Sequence, residues 1–192
     1  MPEWVPKGNG PLLIVMGGSQ GAKAINQILY QSLEFLMEKK FRIVHIIGES
    51  NQQPSYVKNS KNYIQKKFTN EMAALMQNCD LVISRSGAGT INELIETGKP
   101  SILIPFPYSK NNHQEKNAMI LAEIGGSVLI NQNTISKEVF EETLERIFKI
   151  KLKKGKNHYE ILDLMKKNME NNNKIKSKIK IKKFINYFLK EF

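Results

Sequence analysis

The sequence contains few of the residues that build covalent cross-links or metal centres. Among its 192 residues there is one cysteine, Cys79, which excludes an internal disulfide framework. We expect Cys79 to be a small buried core residue rather than a nucleophile, because no catalytic motif surrounds it. No D-x-D sequence occurs, so paired carboxylates of the kind that hold Mg²⁺ are not expected, and no cysteine–histidine cluster suggests zinc.

The sequence also lacks the long apolar runs of export signals and membrane spans. No stretch approaches the ~18 apolar residues that cross a bilayer. The opening residues, MPEWVPKGNG, have no apolar core of a signal peptide. Together with the single cysteine, these features favour a reducing, cytoplasmic compartment.

Positive charge is concentrated in one segment of the chain. The formal net charge is +11, and residues 149–183 supply 13 lysines against 3 acidic residues, a net of +10. This segment either attracts anionic lipid headgroups or nucleic acid, or reflects a compositional bias toward lysine, asparagine and isoleucine. Nucleic acid is not an expected partner, because no aromatic residues interleave with the lysines and no nucleic-acid-binding motif occurs.

Short apolar runs alternate with longer amphipathic segments, which is typical of parallel strands joined by helices. The predicted strands are Leu12–Met16, Arg42–Ile47, Tyr63–Phe68, Leu81–Ser84, Ser101–Pro105 and Ser127–Ile130. The predicted helices are Ala22–Met37, Asn70–Gln77, Thr90–Thr97, His113–Ile124 and Ser136–Phe148, followed by Tyr159–Met169 and Lys182–Leu189. The pattern predicts an α/β fold with a doubly wound parallel sheet.

Ligands of doubly wound sheets bind beyond the carboxyl ends of the strands, so segments that directly follow predicted strands are candidate sites. The first is GGSQGA, residues 17–22. Its glycines allow a tight turn and a close approach of the backbone to a ligand, and the next helix offers free N–H groups to an anion. Neither the dinucleotide fingerprint nor a Walker A sequence is present, so a plain strand-to-helix connection is the alternative.

The second segment is FTNEM, residues 68–72. Thr69 or Asn70 is a natural N-cap for the helix that follows. Alternatively, backbone groups of this segment hydrogen-bond the edge of a base.

The third segment is SRSGAGTINE, residues 84–93, where a buried strand turns on small residues into a helix. Backbone N–H groups of residues 86–89 are suited to face a diphosphate. Arg85 and Glu93 either pair with each other or are solvated. Alternatively, Glu93 accepts two hydroxyl protons from a ribose, since a carboxylate only accepts hydrogen bonds.

The fourth segment is PFPYSKNNHQEKNA, residues 105–118, which two prolines stiffen at the exit from the strand. His113 and Gln114 then open a helix. A histidine on a surface loop is usually only solvated, but an adjacent His-Gln pair at a strand's carboxyl end is suited to hold the hydroxyls of a sugar.

Three motifs occur in an order that resembles a known family: MGGSQGAKAIN (16–26), FTNEMAALMQNCDLVISRSGAGTINEL (68–94) and IPFPYSKNNHQEKNA (104–118). The chain resembles the C-terminal, donor-binding domain of the MurG family, in glycosyltransferase family 28. These bacterial transferases move N-acetylglucosamine from UDP-GlcNAc to an undecaprenyl-diphosphate-linked muramoyl-pentapeptide. The resemblance implies a Rossmann-like fold, the C-terminal half of a GT-B glycosyltransferase, with C-terminal helices.

The resemblance also implies roles for individual residues of a UDP-GlcNAc site. The backbone at Thr69 would meet the uracil, and Glu93 would hold the ribose hydroxyls. His113 and Gln114 would contact the sugar hydroxyls; the family usually has an acidic residue before this pair, where this chain has Asn112. The diphosphate side would be lined by Gly17, Gly18, Ser19, Gln20, Ser86, Gly87, Ala88, Gly89 and Thr90, and Arg85 would be a further residue of the UDP-GlcNAc site.

The resemblance covers only the donor half of such an enzyme. Residues 1–10 are interpreted as a remnant of the interdomain linker, 11–150 as the UDP-sugar-binding domain, and 151–192 as a lysine-rich helical tail. The N-terminal acceptor domain, with its glycine-rich loop and general base, is not expected in this chain, so no catalytic residue is expected here. No cofactor or metal is expected either, with UDP-GlcNAc as the donor substrate. The chain is then a fragment of the transferase or the UDP-GlcNAc-binding subunit of a two-chain enzyme, at the cytoplasmic face of the plasma membrane.

Overall fold

The computed structural model describes residues 1–18, 21–52, 54–153 and 156–171, with the side chains of residues 150–158 excepted. The strands are β1 Leu12–Met16, β2 Arg42–Ile46, β3 Tyr63–Lys66, β4 Leu81–Ser84, β5 Ser101–Leu103, β6 Ser127–Leu129, β7 Ile150–Lys153 and β8 Lys156–Tyr159. The helices are α1 Lys23–Gln31, α2 Leu33–Glu38, α3 Met72–Asn78, α4 Ala88–Thr97, α5 His113–Glu123, α6 Lys137–Ile147 and α7 Glu160–Asn171.

Six strands form one parallel sheet in the order β3-β2-β1-β4-β5-β6. This is the strand order of a Rossmann fold, in which the direction of winding reverses between β1 and β4. The predicted α/β, doubly wound, Rossmann-like sheet is therefore confirmed. The antiparallel hairpin of β7 and β8 was not expected from the sequence.

The sheet is buried on both faces, which explains why its central strands are uninterrupted apolar runs. All residues of β1 and β4 are buried. One face packs against α1, α2, α6 and α7, and the other against α3, α4 and α5. Cys79 belongs to the second core, where burial raises the pKa of its thiol to about 12, so the expected structural role is confirmed.

Several predicted element boundaries were wrong. The single helix predicted over Ala22–Met37 is divided into α1 and α2, because Ser32 leaves helical geometry at φ −100°, ψ 5°. The predicted strands ending at Phe68 and Pro105 stop earlier, at Lys66 and Leu103. The helix predicted at Lys182–Leu189 lies outside the described residues.

Helix α7 packs on the sheet although it belongs to the predicted tail segment. Leu162 and Met165 join the first core, and Met169 joins the second. At the amino end of β4, the Lys166 ammonium lies 3.4 Å from the Asp80 carboxylate, which accepts a 2.8 Å hydrogen bond from the Leu12 N–H. The predicted division of the chain at residue 150 stays a prediction.

A buried polar network links α1 to β2 and β3. The Asn26 side-chain amide donates to the Ile47 carbonyl at 3.1 Å, so its Oδ1 is the acceptor that lies 2.9 Å from His45 Nε2. Burial lowers the pKa of His45 to about 3. His45 is therefore neutral with its proton on Nε2, and Nδ1 faces the Tyr63 hydroxyl at 2.9 Å.

This network predicts that the titration of His45 makes the free energy of unfolding depend on pH. An unfolded histidine takes up a proton below about pH 6.5, whereas buried His45 stays neutral until about pH 3. The unfolded state thus binds more protons in this window, and the free energy of unfolding falls as the pH drops, by up to about 1.4 kcal/mol per pH unit. Urea unfolding of the wild type and His45→Gln at pH 7, 5.5 and 4.5 measures this term.

We expect the variant to be less stable at pH 7 but to lose less stability on acidification. Both proteins share the same carboxylates, so their titration cancels in the comparison. Parallel curves for the two proteins between pH 6.5 and 4.5 would contradict the assignment of a neutral His45.

Candidate functional site

The loops after β1 and β4 lie side by side at the carboxyl edge of the sheet. These two strands are paired in register, with Met16 opposite Ser84 at their carboxyl ends. Each loop leads into a helix, α1 after β1 and α4 after β4. Because the winding direction reverses here, this is the crevice where doubly wound sheets bind ligands. The structure therefore brings the first and third predicted segments together.

The loop after β1 depends on its glycines. A Cβ on Gly17 would lie 2.1 Å from the backbone nitrogen of Ala22, so no larger residue fits there. Gly18 has a φ of +86°, and nothing lies within 4 Å of the place where its Cβ would be. The turn is closed by a 2.9 Å hydrogen bond from the Gly21 N–H to the Gly18 carbonyl. Ser19 and Gln20 lie outside the described residues.

Both helices that follow these loops begin without a side-chain cap. The N-cap residues are Ala22 for α1 and Gly87 for α4, and neither makes a side-chain cap hydrogen bond. Uncapped first turns leave N–H donors and the positive end of the helix dipole open. Two such helix ends at neighbouring strands form an environment suited to a diphosphate.

The first turn of α4 presents backbone rather than side chains. Ala88 and Gly89 are exposed and Thr90 is half-buried. A Cβ on Gly87 or Gly89 would meet nothing within 4 Å. A ligand can therefore approach the helix N–H groups closely, and this is the property that the predicted diphosphate role requires.

Ser86 and Gln114 hold loops together. Ser86 is fully buried and its hydroxyl donates to the Gln114 carbonyl at 2.7 Å. The Gln114 Oε1 accepts from the Phe106 N–H at 3.0 Å. In addition, the Asn117 side chain donates to the Ser86 carbonyl at 3.1 Å. These contacts fix the exits of β4 and β5 against the start of α5, while their predicted ligand contacts stay predictions.

Arg85 connects the carboxyl ends of three strands. Its Nη1 donates to the carbonyls of Ile104 and Pro105 at 2.9 and 3.0 Å, and its Nη2 donates to the side chain of Gln132. Burial lowers its pKa to about 10, so the guanidinium is still charged at neutral pH. It does not pair with Glu93, which was one of the two simple alternatives.

Gln132 is a residue of this edge that sequence reasoning missed. It follows β6 and is the side-chain partner of Arg85, 47 positions away in the chain. No local motif marks it, since its only distinguishing feature is a contact made by the fold.

Glu93 points away from the core on the exposed face of α4. Partial burial, and secondarily the nearby Glu96 carboxylate, raise the pKa of the Glu93 carboxyl. A carboxylate that is partly desolvated gains more from donated hydroxyl hydrogen bonds than a fully hydrated one. The position fits the predicted contact with a vicinal diol.

The structure corrects the predicted helix cap at Thr69 or Asn70. Helix α3 begins at Met72, with Glu71 at the N-cap position and no side-chain cap. The Thr69 hydroxyl instead accepts from the Glu71 N–H at 3.1 Å, which closes a turn ahead of the helix. The loop after β3 is thereby shaped by Thr69, whose predicted contact with a base is untested.

His113 lies at the exposed start of α5 behind two left-handed residues. Asn111 and Asn112 have φ values of 54° and 53°, a conformation that asparagine tolerates better than most residues. The His113 Nδ1 lies 2.8 Å from the Lys110 carbonyl and must donate to it. Its Nε2 is thus left to interact with solvent or with a ligand. The conformation also gives a structural reason for an asparagine at position 112.

Metal-ligating clusters and membrane-spanning helices are both absent from the described part of the chain. Within it, no group of three or more histidine, cysteine, aspartate or glutamate side chains is arranged to hold a metal ion. Likewise, no helix there is both long and apolar enough to cross a membrane. The expectation that no metal or cofactor is needed stays a prediction.

Comparison with known proteins identifies the family. The sequence matches the profile of the glycosyltransferase family 28 C-terminal domain over residues 12–185. The chain belongs to this family. Over its whole length it is 89% identical to the UDP-N-acetylglucosamine--N-acetylmuramyl-(pentapeptide) pyrophosphoryl-undecaprenol N-acetylglucosamine transferase of Prochlorococcus marinus (strain MIT 9312), of which it covers 53%. The chain thus spans about half the length of the curated relatives that it matches.

Solved structures agree with the family assignment. The MurG structure from Acinetobacter baumannii is similar with a TM-score of 0.66 and 25% identity, over 85% of this chain and 46% of that one. The calicheamicin glycosyltransferase CalG4 has a TM-score of 0.63 at 13% identity, over 92% and 43% of the two chains, and this likeness concerns the fold alone. The predicted resemblance to the C-terminal domain of the MurG family is confirmed.

The open backbone of α4 allows a test that separates stability from binding. Gly89→Ala adds a methyl group where nothing lies within 4 Å, in a helix that alanine favours over glycine. We expect the free energy of unfolding to rise by about 0.4–1 kcal/mol. If a diphosphate approaches this backbone, the same methyl group weakens UDP binding at least ~10-fold, about 1.4 kcal/mol.

Urea unfolding and calorimetric titration with UDP measure the two effects on one variant. Gly98→Ala is the matched control at the other end of α4, where φ is +65°, so it should lose stability without losing affinity. Unchanged UDP affinity in Gly89→Ala would place the diphosphate elsewhere.

Proposed function

We propose that this chain binds UDP-GlcNAc as the donor half of an inverting N-acetylglucosaminyltransferase of peptidoglycan synthesis. The observation that carries the proposal is the pair of uncapped helix N-termini, α1 and α4, at the switch point between β1 and β4. Its support is the family membership and the transferase activity named for a relative that is 89% identical. The acceptor of the proposed reaction is undecaprenyl-diphosphate-muramoyl-pentapeptide.

The proposed donor pose follows the edge of the sheet. The uracil lies at the loop after β3, near the backbone of Thr69, and Glu93 accepts the two ribose hydroxyl protons. The diphosphate lies between the Gly17–Gly18 turn and the first turn of α4. His113, whose Nε2 is available, faces the sugar hydroxyls together with the NH₂ group of Gln114.

The chemical role of this half is to stabilise the leaving group. In an inverting transfer, the acceptor hydroxyl attacks the anomeric carbon from the face opposite to UDP, and the bond between that carbon and the diphosphate oxygen breaks. Negative charge then develops on the diphosphate, where the N–H groups and dipoles of α1 and α4 stabilise it without reorganisation. The base that takes the acceptor proton belongs to the proposed acceptor half, in the same polypeptide or in a separate chain.

Substitution of Glu93 tests the proposed ribose contact. Glu93→Gln keeps the shape of the side chain but replaces one acceptor oxygen with a donor, so it can accept from only one hydroxyl. Since hydrogen bonds to charged groups contribute about 1.5–3 kcal/mol, we expect UDP-GlcNAc affinity to fall ~10–100-fold. Calorimetric titration of the chain with UDP-GlcNAc measures this, with UDP-glucose as the donor expected to bind more weakly.

Glu123→Gln is the matched control, because it removes the same charge from the exposed end of α5 at the opposite edge of the sheet. Equal affinity in Glu93→Gln and in the control would reject the ribose contact. If the folded wild-type chain shows no saturable binding at all, the proposal that this half binds the donor by itself is wrong.

The lysine-rich segment extends the proposal to the cytoplasmic face of the membrane. Residues 149–183 carry a net charge of +10, and each lysine near an anionic lipid surface contributes about 1 kcal/mol. Deleting residues 171–183 removes 6 lysines, and we expect sedimentation with phosphatidylglycerol vesicles to fall at least ~10-fold. Exchange of the same lysines for arginine keeps the charge and should keep the binding.

Vesicles of phosphatidylcholine alone serve as the neutral reference. Binding that is unchanged by the deletion would show that the segment does not attract the chain to lipid. It would leave the donor site untouched, since Glu93 and α4 lie outside that segment.

A further inference from the structure

The N-terminal segment lies against the loop that follows β3. Val5 is buried, and Trp4 packs against the second core beside Met72 of α3. At the other end of the segment, Arg42 donates from Nε to the Gly10 carbonyl and from Nη1 to the Pro6 carbonyl. Residues that the sequence presents as a linker are thus anchored at the amino end of β2 and beside the loop that follows β3.

Trp4 contacts both ends of the β3–α3 loop. Its indole Nε1–H donates to the Glu71 carboxylate at 2.6 Å, and Glu71 is the N-cap residue of α3. The ammonium of Lys66, the last residue of β3, lies 3.7 Å from the centroid of the indole ring. One aromatic ring therefore holds a cation on its face and a carboxylate at its edge.

Between these two contacts lies the stretch that carries Thr69. Lys66 and Lys67 are tied to the end of β2 through their carbonyls, which accept from Ile47 and Gly48. At the other end of the loop, Trp4 is connected to Thr69 through Glu71, whose N–H donates to the Thr69 hydroxyl at 3.1 Å. Two consecutive hydrogen bonds thus connect Trp4 through Glu71 to Thr69.

We infer that Trp4 is a positioning residue for the part of the site that receives the nucleotide base. The inference rests on the proposed function, which places the base at Thr69. Trp4 does not touch the ligand; it fixes the distance between the end of β3 and the start of α3, so that the backbone at Thr69 is ordered before the nucleotide arrives. Preorganisation of this kind raises affinity by reducing the ordering that binding requires.

The first experiment uses Trp4→Phe, which keeps an aromatic ring over Lys66 but removes the indole N–H. Calorimetric titration with UDP should give a roughly 5-fold weaker affinity in Trp4→Phe and in Glu71→Ala. The UDP affinity of the double variant should also be roughly 5-fold below that of the wild type, because both substitutions break the same hydrogen bond. Hydrogen exchange of the free chain should also become faster at residues 68–71 in each variant.

Trp4 also supplies a signal that a purely structural role would not produce. It is the chain's single tryptophan, so its fluorescence reports on this loop alone. In the wild type, UDP should shift the emission with the same saturation curve as the calorimetric titration. In Glu71→Ala the shift should be smaller, since the coupling from Thr69 to the indole is lost.

Phe148→Leu is the control for a general loss of stability. Phe148 packs edge-to-face on Phe41 and Tyr159, next to the start of β2 and far from the β3–α3 loop. This variant should melt at a lower temperature and bind UDP as the wild type does.

UDP binding and hydrogen exchange together distinguish the positioning role of Trp4 from the proposed donor site. If the wild type binds UDP but Trp4→Phe binds it equally, or if exchange at residues 68–71 is unchanged, the positioning role is refuted and the donor site stands. If the folded wild type binds no UDP, the proposed function fails and the inference about the base falls with it.

Discussion

The pairing of β1 with β4 is the constraint on which the candidate site depends. These strands are neighbours in the sheet but lie far apart in the chain, since β2 and β3 are added on one side of β1 before the chain crosses back. The crossing brings two glycine-containing loops to one edge and points α1 and α4 at the same space. Neither N-cap residue makes a side-chain cap hydrogen bond, which leaves backbone N–H groups of both first turns as donors for a ligand. A diphosphate is the type of ligand that this arrangement favours.

The motif residues of the site divide into two kinds. Gly18, Gly87 and Gly89 present backbone to an open region, since nothing lies within 4 Å of the place of a Cβ, whereas Gly17 is required by the tight packing of the turn against Ala22. The second kind comprises Arg85, Ser86 and Gln114, which hydrogen-bond largely to other parts of the protein. The hydrogen bonds of these three residues hold the loops in the positions that leave the glycine backbone accessible. The motifs therefore contain both open backbone and the side chains that hold the loops in place.

The charged and ionisable groups also differ in whether they contact the protein or remain accessible. The guanidinium of Arg85 donates its hydrogen bonds to two carbonyl oxygens and to Gln132, and it does not pair with Glu93. Glu93 is held partly out of water on α4, where its pKa is raised. On the other side of the sheet, the buried His45 network keeps α1 attached to the exit of β2 with no net charge in the core.

The sequence by itself determined the sheet, because apolar runs such as LLIVM and LVIS are needed wherever a parallel strand is covered on both faces. It also determined the segments that follow those strands, and through them the family. It did not show where each polar side chain goes, since the partners are remote: Ser86 bonds Gln114 across 28 positions, Arg85 bonds Gln132 across 47, and Trp4 bonds Glu71 across 67. Local patterns likewise misplaced the cap of α3 and the break at Ser32. Contacts of this kind are decided only when the tertiary structure brings the strand ends together, because hydrogen bonds depend on distances that no local pattern encodes.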